Sequence, residues 1–137
     1  MITYNEERRD LPNDQLFRLF RAVGWAGEDC PDELRRSFNA PFRHSTLVIS
    51  AREDGRLVGV VRVLSDTCVR AVVYDLAVEP DRQGRGIGSE LLRRCRARYP
   101  DAEWLVQTTR DAAPFYEKNG FTPLTEDVFL RRPSRYF

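Results

Sequence analysis

Leu76-Ala-Val-Glu-Pro-Asp-Arg-Gln-Gly-Arg-Gly-Ile-Gly-Ser89 reads as a strand that runs into a tight loop and then a helix. The residues leading into it, Val72 to Val78, are β-branched and apolar enough for a buried strand, and Pro80 withdraws a ladder donor where pairing should stop. Three glycines follow at alternate positions, Gly84, Gly86 and Gly88. From Ile87 onward the apolar residues Leu91, Leu92, Cys95 and Tyr99 recur at helical spacing, with Arg93, Arg94, Arg96 and Arg98 left for the other face. The helix therefore begins inside the glycine loop. The first turn of a helix has backbone N–H groups without intrahelical partners and carries the positive end of the macrodipole, so this junction is built to receive an anion. Glycines let a phosphate approach the backbone and permit positive φ, and Gln83, Arg85 and Ser89 add side-chain donors beside it.

Two familiar phosphate loops do not match. A Walker loop requires a lysine after its second glycine, and the dinucleotide fingerprint requires a third glycine where this chain has Leu91. The stretch instead resembles the pyrophosphate-binding motif of the GCN5-related N-acetyltransferase (GNAT) family, whose pattern Gln/Arg-x-x-Gly-x-Gly/Ala is met by Gln83, Gly86 and Gly88 after a typical Leu-Ala-Val-x-Pro strand end. A second match follows in the order the family keeps. Ala112-Ala-Pro-Phe-Tyr-Glu-Lys-Asn-Gly-Phe121 is similar to its Ala-x-x-Phe-Tyr-x-x-x-Gly-Phe helix, although Thr109 stands where many relatives carry Asn. Together the two motifs cover Val72 to Phe121; the first 40 residues match only loosely.

The rest of the chain is consistent with one α/β domain over residues 1–137, with no repeat or linker. Ile2 to Tyr4 reads as a short first strand. Leu16, Phe17, Leu19, Phe20 and Val23 form a helical apolar set that Gly24 ends, and Cys30 to Phe38 is expected to be a second helix with Pro31 in its first turn. Asn39 to Ser45 reads as a loop. Thr46 to Arg52 and Arg56 to Leu64 are strands joined by a hairpin through Asp54-Gly55, and Ser65-Asp66-Thr67 turns into the central strand. Glu103 to Thr108 follows a helix and should run parallel to that strand by a right-handed crossover. Asp111 is the expected cap of the next helix, a last strand or two is expected in Phe121 to Arg131, and Pro133 to Phe137 reads as a tail.

The resemblance implies a GNAT-like mixed sheet of six or seven strands, helices on both faces, and fourth and fifth strands that splay apart around acetyl-CoA. It implies that pantetheine pairs like an added strand with Leu76, Ala77 and Val78, that Gln83, Gly84, Arg85, Gly86, Gly88 and Ser89 hold the pyrophosphate, and that Tyr116 assists the departing thiolate. It also makes Trp25 and Phe42 candidates for the acceptor wall, with Tyr74 beside them. The implied activity is direct acetyl transfer from acetyl-CoA to a primary amine, a small molecule in the first instance. The alternatives are a protein N-terminus, a lysine, aminoacyl-tRNA, or a coenzyme A-binding module without turnover.

No base is evident. Strand alternation puts Val72, Tyr74 and Leu76 on one face and turns Asp75 away, leaving Asp66, Glu103 or a water held by Tyr74 as alternatives.

Composition narrows the class further. Lys plus Arg total 22 against 21 acidic residues, a net charge of +1, which argues against a nucleic-acid partner or an anionic membrane surface. The N-terminal Met-Ile-Thr-Tyr-Asn-Glu-Glu is too acidic for a signal peptide and no apolar run reaches membrane length, so a cytoplasmic location is expected. Three scattered cysteines and one histidine support neither a disulfide framework nor a metal site. A homodimer is left open.

Overall fold

The computed structural model describes residues 1–135. Strands β1 (Ile2–Asn5), β2 (Leu47–Glu53), β3 (Arg56–Ser65), β4 (Arg70–Val78) and β5 (Glu103–Val106) form one sheet in that spatial order. The first four are antiparallel to their neighbours, and β4 and β5 are parallel, joined through the helix α4 (Ile87–Arg98). The β2–β3 hairpin turns through Asp54 and Gly55, both at positive φ (49° and 79°), which is the primed turn an Asp-Gly pair favours.

Helices cover both faces. On one, Ile87, Leu91, Leu92 and Cys95 of α4 pack on Ile49, Ala51, Val61, Val63, Ala71 and Val73. The fit is close at Gly59, where a Cβ would come within 3.1 Å of Ile87. On the other face, Leu16, Leu19 and Phe20 of α1 (Asn13–Ala22) cover Val48, Leu57, Val60 and Ala77. Gly24 ends α1 at φ 84°.

Several expectations are corrected. The described residues give five strands, short of six or seven, because Phe121 to Arg131 carries no strand; residues 136 and 137 of the expected tail lie outside the described residues. Leu124, Val128, Phe129 and Leu130 are exposed in that segment. The expected loop over Asn39 to Ser45 contains a four-residue helix, α3 (Ala40–Arg43), and the second helix, α2, is confined to Asp32–Arg36. The last helix, α5 (Ala113–Lys118), starts after Ala112 and not at Asp111. Ala112 is the N-cap and supplies no side-chain cap; the Thr109 carbonyl accepts the N–H groups of Ala112 and Ala113 at 3.2 and 3.0 Å.

Among the described residues no helix is long and apolar enough to cross a membrane, and no group of three or more His, Cys, Asp or Glu could hold a metal ion.

Candidate active site

The functional cleft follows from where β4 loses its neighbour. Arg70 to Val73 pair with Glu103 to Val106, and there the parallel ladder ends, while β4 runs on to Val78. Its last residues keep β3 on one side and, among the described residues, have no strand on the other. The resulting cleft holds about 910 Å³ and is bordered by Leu76, Ala77 and Val78, by the glycine loop and the start of α4, by Gln107 to Thr109, by α5, and by Val23 and Trp25 after α1.

The loop has the geometry its glycines imply. Gly84 and Gly86 sit at φ 78° and 85°, where a side chain would be strained, and a Cβ on either would meet nothing within 4 Å. Gly86 is the N-cap of α4 and offers no side-chain cap, so the first-turn N–H groups stay open to a ligand. Gly88 differs: a Cβ there would come within 2.9 Å of Phe115, so this glycine allows α4 to pack against α5. Gln83 donates from Nε2 to the Val78 carbonyl at 3.0 Å, tying the loop to the strand end. Ser89 borders the cleft, whereas Arg85 is exposed and is not among the lining residues.

A β-bulge reshapes the cleft at the middle of β4. Arg62 of β3 pairs with Asp75 and the next residue, Val63, pairs with Val73, so Tyr74 is an extra residue on β4. Alternation is broken there. Leu76 packs toward α4, while Tyr74 and Asp75 both meet Arg62: its Nε donates to Asp75 Oδ2 at 2.7 Å and its guanidinium lies 5.3 Å from the Tyr74 ring centre. The expectation that Asp75 points away from Tyr74 is therefore wrong, and both border the cleft. Trp25 and Tyr74, 53% and 55% exposed, both belong to the wall of the cleft. Phe42 is buried in the core beneath α1, against Phe20 at 5.8 Å, and is not part of that wall. Asp66 and Glu103 stand at the other end of β4. Asp66 Oδ1 accepts the N–H groups of Cys68, Val69 and Arg70, and those bonds hold its carboxyl below the usual range. Glu103 contacts Arg70 at 3.6 Å.

A family model described as an acetyltransferase (GNAT) domain matches residues 44–123, more than half of the chain and all of the cleft's strands and helices from β2 to α5. The chain belongs to the GNAT acetyltransferase family. It is by that membership an acyl-CoA-dependent acetyltransferase. An uncharacterized N-acetyltransferase, ycf52, of Porphyra purpurea is 29% identical over 125 residues, 86% of this chain and 69% of that one. A GNAT-family acetyltransferase of Streptococcus pneumoniae TIGR4 shares the fold with a TM-score of 0.78 at 26% identity, covering 98% of this chain and 99% of that chain. The fold alone is shared with an aminoglycoside acetyltransferase from an uncultured soil metagenomic sample, solved in complex with sisomicin (TM-score 0.73, 24% identity, 98% and 97% coverage).

Within this GNAT cleft the strongest electrostatic effect falls on Tyr116. Burial pushes its phenol up to about 12, and the charge of Asp75 adds to the rise. Held between Phe115 and Phe121 in edge-on contacts of 5.0 and 5.6 Å, the ring is fixed, and its hydroxyl has no hydrogen-bond partner among the described residues. Cys95 is buried under α4, its thiol also raised to about 12 by burial, and is thus inert as a nucleophile. The Asp75–Arg62 pair and its place in the cleft escaped the sequence reading because a bulge leaves no mark on hydrophobic alternation; Thr108 and Thr109 join the wall because β5 ends at Val106. A smaller hollow of about 470 Å³ lies between α1 and α2 among Phe17, Arg18, Arg21, Arg35 and Arg36 and contains none of the motif residues.

Proposed function

We propose that the chain, as a single N-acetyltransferase domain over residues 1–137, transfers the acetyl group of acetyl-CoA to the primary amine of a small molecule with an apolar or aromatic body. The observation that carries the reading is the junction of an open strand edge, Leu76 to Val78, with a positive-φ glycine loop at the start of a twelve-residue helix. Such an edge offers backbone pairing to the amides of pantetheine, and such a loop offers N–H groups to a pyrophosphate.

In the transfer the amine nitrogen attacks the thioester carbonyl carbon; the C–N bond forms and the C–S bond breaks, with the electron pair leaving on sulfur. The backbone N–H of Leu76 or Ala77 is the donor we assign to the developing oxyanion. Tyr116 is protonated throughout the physiological range, since its phenol lies near 12. Full proton transfer to a thiolate whose thiol has a pKa of about 8.5 is uphill by about 5 kcal/mol. The role we assign to Tyr116 is therefore hydrogen-bond donation to the departing sulfur. The thiolate then gains its proton from water, which also receives the proton lost by the amine.

The acceptor class rests on Trp25 and Tyr74 in the cleft wall and on the charge beside them. Two carboxylates border the cleft, Asp75, already paired with Arg62, and Asp111, against the cations Arg82 and Lys118, so a polycation finds little net negative charge. The test is acetyl-CoA consumption with an arylalkylamine, spermidine and sisomicin, in the wild type and in Trp25→Ala. The arylalkylamine should be preferred, and Trp25→Ala should lower its kcat/KM about tenfold, the worth of one lost aromatic contact of 1–2 kcal/mol. Preference for either polycation, or an unchanged kcat/KM in a folded Trp25→Ala variant, overturns the acceptor reading.

A further inference from the structure

Glu79 lies between β4 and the glycine loop and is only 5% exposed, yet it carries a carboxylate. Its main chain is held at both ends: the N–H donates to Val58 O at 2.8 Å, and the carbonyl accepts the Arg82 N–H at 2.8 Å. Three guanidinium groups from three elements converge on the side chain. Arg18 of α1 donates from Nη1 to Oε1 at 2.9 Å, Arg56 of β3 donates to the same oxygen, and Arg82 Nη1 lies 3.1 Å from Oε2 in ion contact. Two of these arginines are fixed a second time, Arg18 on the Leu57 carbonyl at 2.6 Å and Arg82 on Glu53 Oε2 at 2.7 Å. Burial alone would raise the Glu79 carboxyl, but the Arg56 bond and the three positive charges outweigh it and hold the group ionised.

A buried ion cluster of this kind is a poor source of net stability, because desolvating the charges offsets most of their attraction; what it supplies is a fixed geometry. The geometry fixed here is that of the helical turn Pro80–Arg82, which leads directly into Gln83, Gly84 and Gly86. We propose that Glu79 is a positioning residue for the anion-binding loop: by gathering Arg18, Arg56 and Arg82 it sets the glycine turn in its ligand-ready form before any ligand arrives. It also links that turn to α1, whose C-terminal end leads to Val23 and Trp25, so both halves of the cleft share one anchor. The inference rests on the reading of the loop as a pyrophosphate cradle, and the first measurement below does not depend on that reading.

The test compares Glu79→Gln, Glu79→Asp and Arg18→Met with the wild type. In the ligand-free protein, amide hydrogen exchange at Arg82 and Gln83, whose N–H groups are bonded to the Glu79 and Pro80 carbonyls in the turn that leads into the glycines, should quicken about tenfold in Glu79→Gln and recover in part in Glu79→Asp, with β3 amides unchanged. Coenzyme A affinity should fall about tenfold in Glu79→Gln, as for other outer-sphere positioning groups, while kcat at saturation stays within about twofold and pantetheine binding is unaltered. Arg18→Met, which removes one arm and leaves the carboxylate in place, should show a smaller change in the same direction, and it decides the matter if Glu79→Gln does not fold. Unchanged loop exchange in folded variants, or slowed kcat with unchanged coenzyme A affinity, overturns the positioning role. A wild type that binds no coenzyme A overturns the cofactor reading instead and leaves the exchange comparison to decide the role of Glu79.

Discussion

The two halves of the cleft are built in different ways. The half proposed for the cofactor is made of backbone: a strand edge without a neighbour among the described residues, two glycines at positive φ, and the open N–H groups that begin α4. The half proposed for the acceptor is made of side chains, with Trp25 arriving after α1, Tyr74 and Asp75 turned to the same side by a bulge, and Arg62 in contact with both. A backbone site tolerates few substitutions because its geometry is set by torsion angles. A side-chain site can be re-specified one residue at a time, and this division matches a constant donor with an exchangeable acceptor.

The largest effect is expected from Gly86→Glu. The residue sits at φ 85° in open space, so the variant adds backbone strain of about 1–2 kcal/mol and a carboxylate where the cradle receives phosphate. Coenzyme A affinity should fall by more than about 10²-fold with the fold retained, read by calorimetry and circular dichroism. Near wild-type affinity would put the cradle elsewhere. Tyr116→Phe tests the point where the halves meet. On the hydrogen-bond role, kcat should drop on the order of 10²-fold with acetyl-CoA affinity nearly unchanged, and an unchanged kcat would reduce Tyr116 to packing.

The pH profile comes next. The only histidine, His44, is outside the cleft, and a primary alkylamine has a pKa of roughly 10, so the reactive neutral fraction grows about tenfold per pH unit below that value. kcat/KM should climb through about pH 8 to 9 with no plateau near 6.5; a plateau there would mean an enzyme base that the acceptor half does not contain. Tyr116, at about 12, should add no limb below pH 10.

The smallest effect lies outside both halves. Glu90 is held down to about 2, first by its bond from Arg93 and then by Arg94. A carboxyl lowered in the folded state stabilises above its unfolded value and loses that contribution as pH falls, here from about 4.5 toward 2. The pairs are partly exposed, so Glu90→Gln should cost less than about 1 kcal/mol at pH 7 and progressively less as pH falls toward 2, by urea unfolding.

The same division explains what could be read from the chain. Gln83, Gly86 and Gly88 carry backbone requirements that only glycine and a few donors meet, so the loop, its helix and the parallel crossover were legible in residue order. Gly88 was legible as a motif residue but not as the packing partner of Phe115, since that contact joins α4 to α5 across the fold. The bulge at Tyr74 was invisible for a different reason. Val72, Tyr74 and Leu76 alternate correctly on paper, and only the offset between Arg62–Asp75 and Val63–Val73 shows the face change. Phe42 and Trp25 are both aromatic residues near helix ends, and nothing in their neighbours distinguishes the buried one from the exposed one.

The open edge and the glycine loop are together proposed as an acetyl-CoA site. The most direct measurement is thermal unfolding of the wild type with acetyl-CoA, ATP or NAD at equal concentration. At a hundredfold excess over its dissociation constant acetyl-CoA should stabilise the fold by about 2.7 kcal/mol, a melting rise of several degrees for a chain of 137 residues, with much smaller shifts for the other two. An equal shift with ATP, or none with acetyl-CoA, would contradict it.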